Sequence, residues 1–264
     1  MCLDKGVESE VTVIEGESPA IDVYFNNKLI PGGTSITTIE NLIGSVHKLR
    51  IIVKSTSSLP MSQGFGLSGA GALSTAYALD SALDLKKDTS ELINAAHDAE
   101  IKNHSGLGDV VSQATGGIVL RTAAGGAGIG NTRQINLETD LTIKNIIVCT
   151  IGKELNTSHI ITNPDYREKI NRFGGKRLEL FEKELTLENL FKQSNGFSKE
   201  CGLLSEQLGK IIKEIKDSHK GNGAMVMLGN TVFAIGEEQG LIDILKKYGE
   251  PILCKIDKRS ARKI

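Results

Sequence analysis

The stretch PMSQGFGLSGAG, Pro60 to Gly71, runs straight into ALSTAYALDSAL, so a glycine-rich turn enters a helix whose first residues carry almost no side-chain bulk. Glycines permit the positive-φ turns that point successive N–H groups inward, and a helix N-terminus adds roughly half a positive charge. A phosphate can therefore approach the main chain directly, and a nucleotide phosphate is the ligand this composition suits. Gly64, Gly66 and Gly69 also satisfy G-x-G-x-x-G, a spacing shared by dinucleotide folds and kinase loops. A dinucleotide site wants its glycines directly after a first strand and an acidic residue at the end of the second. Here a loop containing Pro60 intervenes, and Asp80 and Asp84 fall within or at the end of the helix. No Walker A motif is present, because Gly175-Lys176 is followed by Arg177. The plain structural alternative is a glycine-lined helix packed tightly on a sheet.

Upstream of the turn, Val7 to Ile14 alternates and is β-rich, Ile21 to Phe25 follows, and Asn26-Asn27 stands where a hairpin turn belongs. Thr38 to Val46 fits a short helix and Leu49 to Lys54 a further strand. Downstream, Leu67 to Leu83 is a helix with one face of Gly, Ala and Ser, and Ser90 to Asn103 is a second helix with Ser90 as N-cap. Gly117 to Arg121 and Lys144 to Ile151 read as strands around a glycine-rich loop, Ala123 to Gly130. Beyond Gly152, Asp165 to Glu184 and Leu187 to Phe191 are helical. Leu203, Leu204, Leu208, Ile211, Ile212 and Ile215 form an apolar stripe that must face a sheet. Ala224 to Leu228, Thr231 to Ile235 and Ile252 to Ile256 supply that sheet, with Leu241 to Tyr248 as a last helix. This order predicts two α+β lobes, residues 1–152 and 153–264, rather than regular βαβ alternation.

Composition narrows the function. With 39% apolar residues and only 5 Pro among 264, the chain can bury a core and is not a low-complexity polymer. A net charge of -1 gives no global field for nucleic acid or anionic lipid, so any polyanion must be held locally. The absence of Trp and the 4% aromatic content also argue against base-stacking platforms. Cys2, Cys149, Cys201 and Cys254 lie far apart without zinc spacing, which reads as free thiols in a reducing cytoplasm, Cys149 and Cys254 in core strands. The longest apolar run, Ile146 to Ile151, is far too short to span a membrane.

Two further segments carry chemistry. AHDAE, Ala96 to Glu100, is followed by SGLGD, Ser105 to Asp109, then VVSQ to Gln113. A carboxylate after a glycine turn can be aimed, and phosphoryl transfer to an alcohol needs a group to orient or deprotonate the hydroxyl and a hard oxygen ligand for Mg2+. Asp109 and Glu100 are the candidates. In the blander reading Asp109 caps a helix beginning at Val110, with Glu100 and His97 on a solvated face. KGNGAMVMLG, Lys220 to Gly229, is either a late glycine loop over a ligand or an ordinary turn before a strand. The basic run Arg167 to Arg177 reads as a solvated helix face.

Taken in order, the turn GFGLSGAGALS (Gly64 to Ser74), GLGDVV (Gly106 to Val111), TGG (Thr115 to Gly117), MLG (Met227 to Gly229), TVFA (Thr231 to Ala234) and the ending SAR (Ser260 to Arg262) resemble the GHMP kinase superfamily. They are most similar to its archaeal, pantoate-phosphorylating branch. The resemblance implies the two-lobed α+β fold of that superfamily, with mixed and antiparallel sheets and helices packed on one face. It implies ATP-dependent phosphorylation of the hydroxyl of a pantoate-like hydroxy acid on the route to coenzyme A. Homoserine, shikimate and mevalonate-type acceptors, or a catalytically silent nucleotide-binding homologue, are the alternatives. Carried over position by position, Gly64, Phe65, Gly66, Leu67, Ser68, Gly69 and Ala70 match the phosphate loop, with Gly221 and Gly223 as the late glycine loop. Ser68 and Glu100 match Mg2+ ligands and Asp109 the catalytic base. A cation must meet the substrate carboxylate, with Lys102, His104 and Arg121 as candidates. The resemblance also implies a homodimer, and superfamily members begin with a strand and a P-G-H-like segment about 30 residues upstream of Cys2-Leu3.

Overall fold

Exposed and half-buried side chains alternate from Glu8 to Ile14 of the strand Glu8–Glu15, the pattern of a strand with one covered face. The computed structural model of the chain describes every residue except 17, 107, 139–144 and 156. The chain divides into two compact units, one of residues 1–59, 66–134 and 257–264, the other of residues 60–65 and 135–256. The boundary expected after Gly152 falls inside the second unit, because the strand just before it pairs with strands near the C-terminus.

The first unit contains β1 (Glu8–Glu15), β2 (Ala20–Phe25), β3 (Lys28–Ile30), α1 (Gly33–Ile43), β4 (Leu49–Thr56), α2 (Leu67–Leu83), α3 (Thr89–Lys102), α4 (Asp109–Thr115), β5 (Ile118–Ala123) and most of β6 (Asn131–Ile135). Its main sheet has the order β1-β4-β2-β3, with β2 parallel to β4 and the other pairs antiparallel. The register sets Val11, Val53 and Val23 in one row and Val13, Ile51 and Ile21 in the next. These rows pack with Ile39 of α1 and Leu79 of α2. Asn26 and Asn27 both take positive φ, as a tight hairpin requires. The small face of α2 does what its composition promises: Ser74 lies 2.6 Å from Ser9 of β1, and Thr75 donates to Ser35 of α1 at 3.4 Å. α3 is capped by Asp88 rather than Ser90, through a reciprocal pair of bonds with Glu91. α1 begins at Gly33 and ends at Ile43, earlier at both ends than the apolar pattern indicated.

The second unit contains β7 (Ile146–Thr150), α5 (Thr157–Thr162), α6 (Pro164–Glu182), α7 (Leu187–Glu200), α8 (Glu206–Asp217), β8 (Gly221–Met225), β9 (Thr231–Gly236), α9 (Glu238–Leu245) and β10 (Pro251–Cys254). The four strands form an antiparallel sheet in the order β10-β7-β9-β8. Ile146, Ile147, Val148 and Cys149 are all buried, which a strand shows only when both its faces are covered. Leu208, Ile211 and Ile215 of the predicted stripe pack from α8 against Ile147, Cys149, Val232 and Ala234. On the opposite face Phe191 of α7 stacks on Phe233 at 5.2 Å, so helices cover this sheet from both sides. Cys149 and Cys254 are buried thiols in β7 and β10. The start of the strand expected at Lys144 lies outside the described residues. Among the described residues no helix is long and apolar enough to cross a membrane.

One expectation is corrected. Gly221 and Gly223 are not in a loop: they form β8 and pair with Gly236 and Ala234 of β9. Their missing side chains serve strand packing, since a Cβ on Gly223 would stand 3.0 Å from the Ile215 side chain. The turn comes later, before β9, with Leu228 at φ 61°.

Candidate active site

Gly66 is the N-cap of α2, at φ 64° and ψ 27°. Any other residue there would be strained by that φ and crowded too, because a Cβ would stand 3.0 Å from the Asp109 carboxyl carbon. With glycine as N-cap there is no side-chain cap, and the first turn of α2 holds no acidic residue. The N–H groups of Leu67, Ser68 and Gly69 are those a helix leaves without intrahelical partners, at its positive end. Leu67 and Gly69 are buried while Ser68 is exposed, and Ala70 closes the first helical bond onto the Gly66 carbonyl at 3.0 Å.

Gly64 and Phe65, the first part of the expected loop, belong to the second unit. Gly64 has φ 82°, with the Met227 carbonyl 2.5 Å from where a Cβ would stand. Gln63, only 4% exposed, donates to the Gly152 carbonyl and accepts from the Asn230 N–H at 3.1 Å. The late segment that meets Gly64 is therefore Val226 to Gly229, not Gly221 and Gly223. Nothing in the composition of the turn singled out Gln63.

Glu100 of α3 is fully buried. Its Oε2 accepts from the Val110 N–H at 3.2 Å, satisfying an orphan donor at the start of α4. Its Oε1 has no hydrogen-bond partner. That oxygen lies 2.6 Å from where a Cβ on Gly69 would be, and against Gly106 as well, so bare glycines make room for the carboxylate. Asp109 Oδ2 comes within 2.8 Å of the same Gly106 Cβ position. Two carboxylates thus meet around one glycine, beside the first turn of α2. Burial, and then the charge of Asp109, push the Glu100 carboxyl up to about 8, against a pull from the Val110 N–H and Arg121. Burial raises Asp109 as well, opposed by the amino terminus and Arg121.

A chain of hydroxyls adjoins them. Thr34, in the first turn of α1, donates to Ser105 Oγ at 3.1 Å, and its Oγ1 is 2.9 Å from Ser68 Oγ. Since the Thr34 proton goes to Ser105, Ser68 gives its own proton to Thr34 and keeps its lone pairs for other partners.

The blander reading of this segment does not hold. Asp109 is the first residue of α4, after the N-cap Gly108, and α4 has no side-chain cap. His97 is 3% exposed with an unpartnered Nδ1, and burial lowers its pKa, so neither it nor Glu100 is on a solvated face. Among the candidate cations, Lys102 and His104 are exposed. Arg121 is half-buried, lies against Gly108, donates to the Gly125 carbonyl at 3.0 Å, and exerts its charge on both carboxylates. Leu107 is outside the described residues. Among those described, no three His, Cys, Asp or Glu side chains gather as a ready metal site.

Uncapped main-chain donors beside a pair of buried carboxylates suit phosphoryl transfer, where positioning and charge stabilisation supply most of the catalysis. Known proteins place the chain in that class. Residues 34–117 match the family described as GHMP kinases N terminal domain. The chain is 31% identical to the pantoate kinase of Methanocaldococcus jannaschii over 258 residues, 96% of this chain and 88% of that protein. The chain belongs to the GHMP kinase family, as its motifs suggested. The pantoate kinase of Thermococcus kodakarensis is likewise 31% identical, over 86% of this chain and 68% of its own. Among solved structures, a phosphotransferase related to the CoA biosynthesis pathway superposes with a TM-score of 0.83 at 27% identity, covering 98% of this chain and 86% of that one. The mevalonate kinase of L. major, at 14% identity and a TM-score of 0.67, shares the fold.

Proposed function

We propose that this protein transfers the γ-phosphoryl group of ATP to the 4-hydroxyl of pantoate, giving 4-phosphopantoate for coenzyme A synthesis in an archaeal cytoplasm. The observation that carries the reading is the pairing of Glu100 and Asp109 beside the open amides of Leu67, Ser68 and Gly69. The names of the relatives support pantoate as acceptor.

The amides from Gly66 to Gly69, with the field of α2, hold the phosphates, and Ala70 closes the first helical turn. The residues present fit a divalent cation. The unpartnered Oε1 of Glu100 and the free lone pairs of Ser68 are hard oxygen donors of the kind Mg2+ takes, and these two residues would hold it. When bound, Mg2+ neutralises the charge that develops on the transferring phosphoryl group. Its binding requires Glu100 to release the proton that burial favours. Asp109, with its affinity for a proton raised, orients the acceptor hydroxyl and accepts its hydrogen. Arg121 meets the carboxylate of the acceptor. Gly221 and Gly223, being strand residues, act only by shaping β8. A homodimer is the assembly expected of the superfamily.

Incubating the chain with ATP, Mg2+ and a panel of pantoate, homoserine, shikimate and mevalonate separates the readings. Phosphate appearing on pantoate with the highest kcat/KM is the expected result. Phosphate on another alcohol reassigns the acceptor, and none on any alcohol leaves a nucleotide-binding homologue.

A further inference from the structure

Gln113 lies one turn beyond Asp109 on α4, so the two side chains share a face of that helix. Both reach Gly66: a Cβ there would stand 3.0 Å from Asp109 Cγ and 3.1 Å from Gln113 Nε2. Gln113 Nε2 donates to the Gly66 carbonyl at 3.0 Å, and since that carbonyl can only accept, the amide has one sensible orientation. The same carbonyl takes the first helical bond, from Ala70. Gln113 Oε1 is buried without a partner, so the amide carries a desolvation cost that a hydrophobic filler would avoid. The Gln113 main chain is itself restrained, its carbonyl accepting from the Ala261 N–H at 3.0 Å.

In a planar trans peptide the C=O and the following N–H point in opposite directions. Holding the Gly66 carbonyl therefore fixes the aim of the Leu67 N–H, the first open donor of α2. Glycine needs such a restraint more than other residues, because its own φ and ψ are the least confined. We propose that Gln113 is a positioning residue for the phosphate loop, setting the Gly66–Leu67 peptide plane so that its N–H meets a nucleotide phosphate, on the same helix that carries Asp109. The inference rests on the phosphate-loop reading given above.

The test uses the full chain and compares Gln113→Met, nearly the same shape with no donor, with Gln113→Glu, which sets a carboxylate oxygen against the carbonyl. Initial rates are measured with ATP and with the acceptor varied in turn. In Gln113→Met the KM for ATP rises about five- to tenfold, the size of one lost neutral hydrogen bond, and in Gln113→Glu it rises further. The KM for the acceptor stays within twofold, and Tm falls by no more than ~4 °C. A wild-type KM for ATP in Gln113→Met, or equal rises for ATP and acceptor, overturns the role of Gln113. If Gln113→Met does not fold, Gln113→Ala is read by the same criteria. A wild-type chain whose rate never saturates with ATP overturns the phosphate-loop reading itself, and the inference with it.

Discussion

Replacing Glu100 by Gln removes one buried carboxyl that can ionise at almost unchanged shape, and the structure says how the stability of the free protein responds. Glu100 is fully enclosed, with one oxygen unpartnered and Asp109 close by, and its carboxyl is pushed from 4.5 up to about 8. A carboxyl raised on folding contributes stability that is fully present below pH 4.5 and is lost as the pH climbs through about 8. At ~1.4 kcal/mol per pH unit the loss approaches ~5 kcal/mol, a large share of the ~5–15 kcal/mol that holds a typical domain folded. Gln has no proton to lose. Between pH 5 and pH 9 the stability of Glu100→Gln should therefore gain on the wild type by several kcal/mol, although the variant surrenders the proposed metal ligand. Groups pulled the other way, such as Asp80 and Glu214, change at the acid end in both proteins and cancel in the difference. Urea unfolding of both proteins across that range, without nucleotide or divalent cation, gives the two curves. If they run parallel, the Glu100 carboxyl is not raised on folding and the electrostatic account of the site is wrong.

Three other substitutions separate the roles of neighbouring groups. Asp109→Asn should lower kcat by several orders of magnitude with little change in ATP affinity, and a variant turning over at the wild-type rate in steady-state assays removes Asp109 from the chemistry. Gly69→Ala places a methyl 2.6 Å from Glu100 Oε1 and should cost ~1–3 kcal/mol by chemical denaturation while abolishing most activity; unchanged stability would mean the carboxylate is not held against α2. Arg121→Met should raise the acceptor KM on the order of tenfold to a hundredfold and leave the ATP KM alone, as initial-rate kinetics with each substrate varied would show.

Much of this was legible because the decisive signals are local. The glycine turn, the small face of α2 and the apolar stripe of α8 each depend on residues a few positions apart; the first two appear where the spacing placed them, and the stripe does so from Leu208 to Ile215, Leu203 and Leu204 falling before the helix. The burial of Glu100 also left a trace: Ile93, Ala96 and Glu100 share one stripe of α3, so a carboxylate sits where an apolar residue would be expected. What composition could not reveal was tertiary. Gly221 and Gly223 look like loop residues, yet they are strand positions where a Cβ would meet the Ile235 carbonyl of β9 and the Ile215 side chain of α8. The real turn hides in the apolar run Met225 to Leu228, because nothing marks Leu228 for a positive φ. Gln63 and Gln113 act through bonds to residues far off in sequence, which no spacing rule records.

The central claim is that the open amides at the start of α2 receive the phosphates of ATP. A crystal structure with a non-hydrolysable ATP analogue and Mg2+ tests it most directly. The account predicts phosphate oxygens within hydrogen-bonding distance of the Leu67, Ser68 and Gly69 N–H groups, with the metal on Ser68 and Glu100. Phosphates bound elsewhere, with none of those amides as a donor, would contradict it.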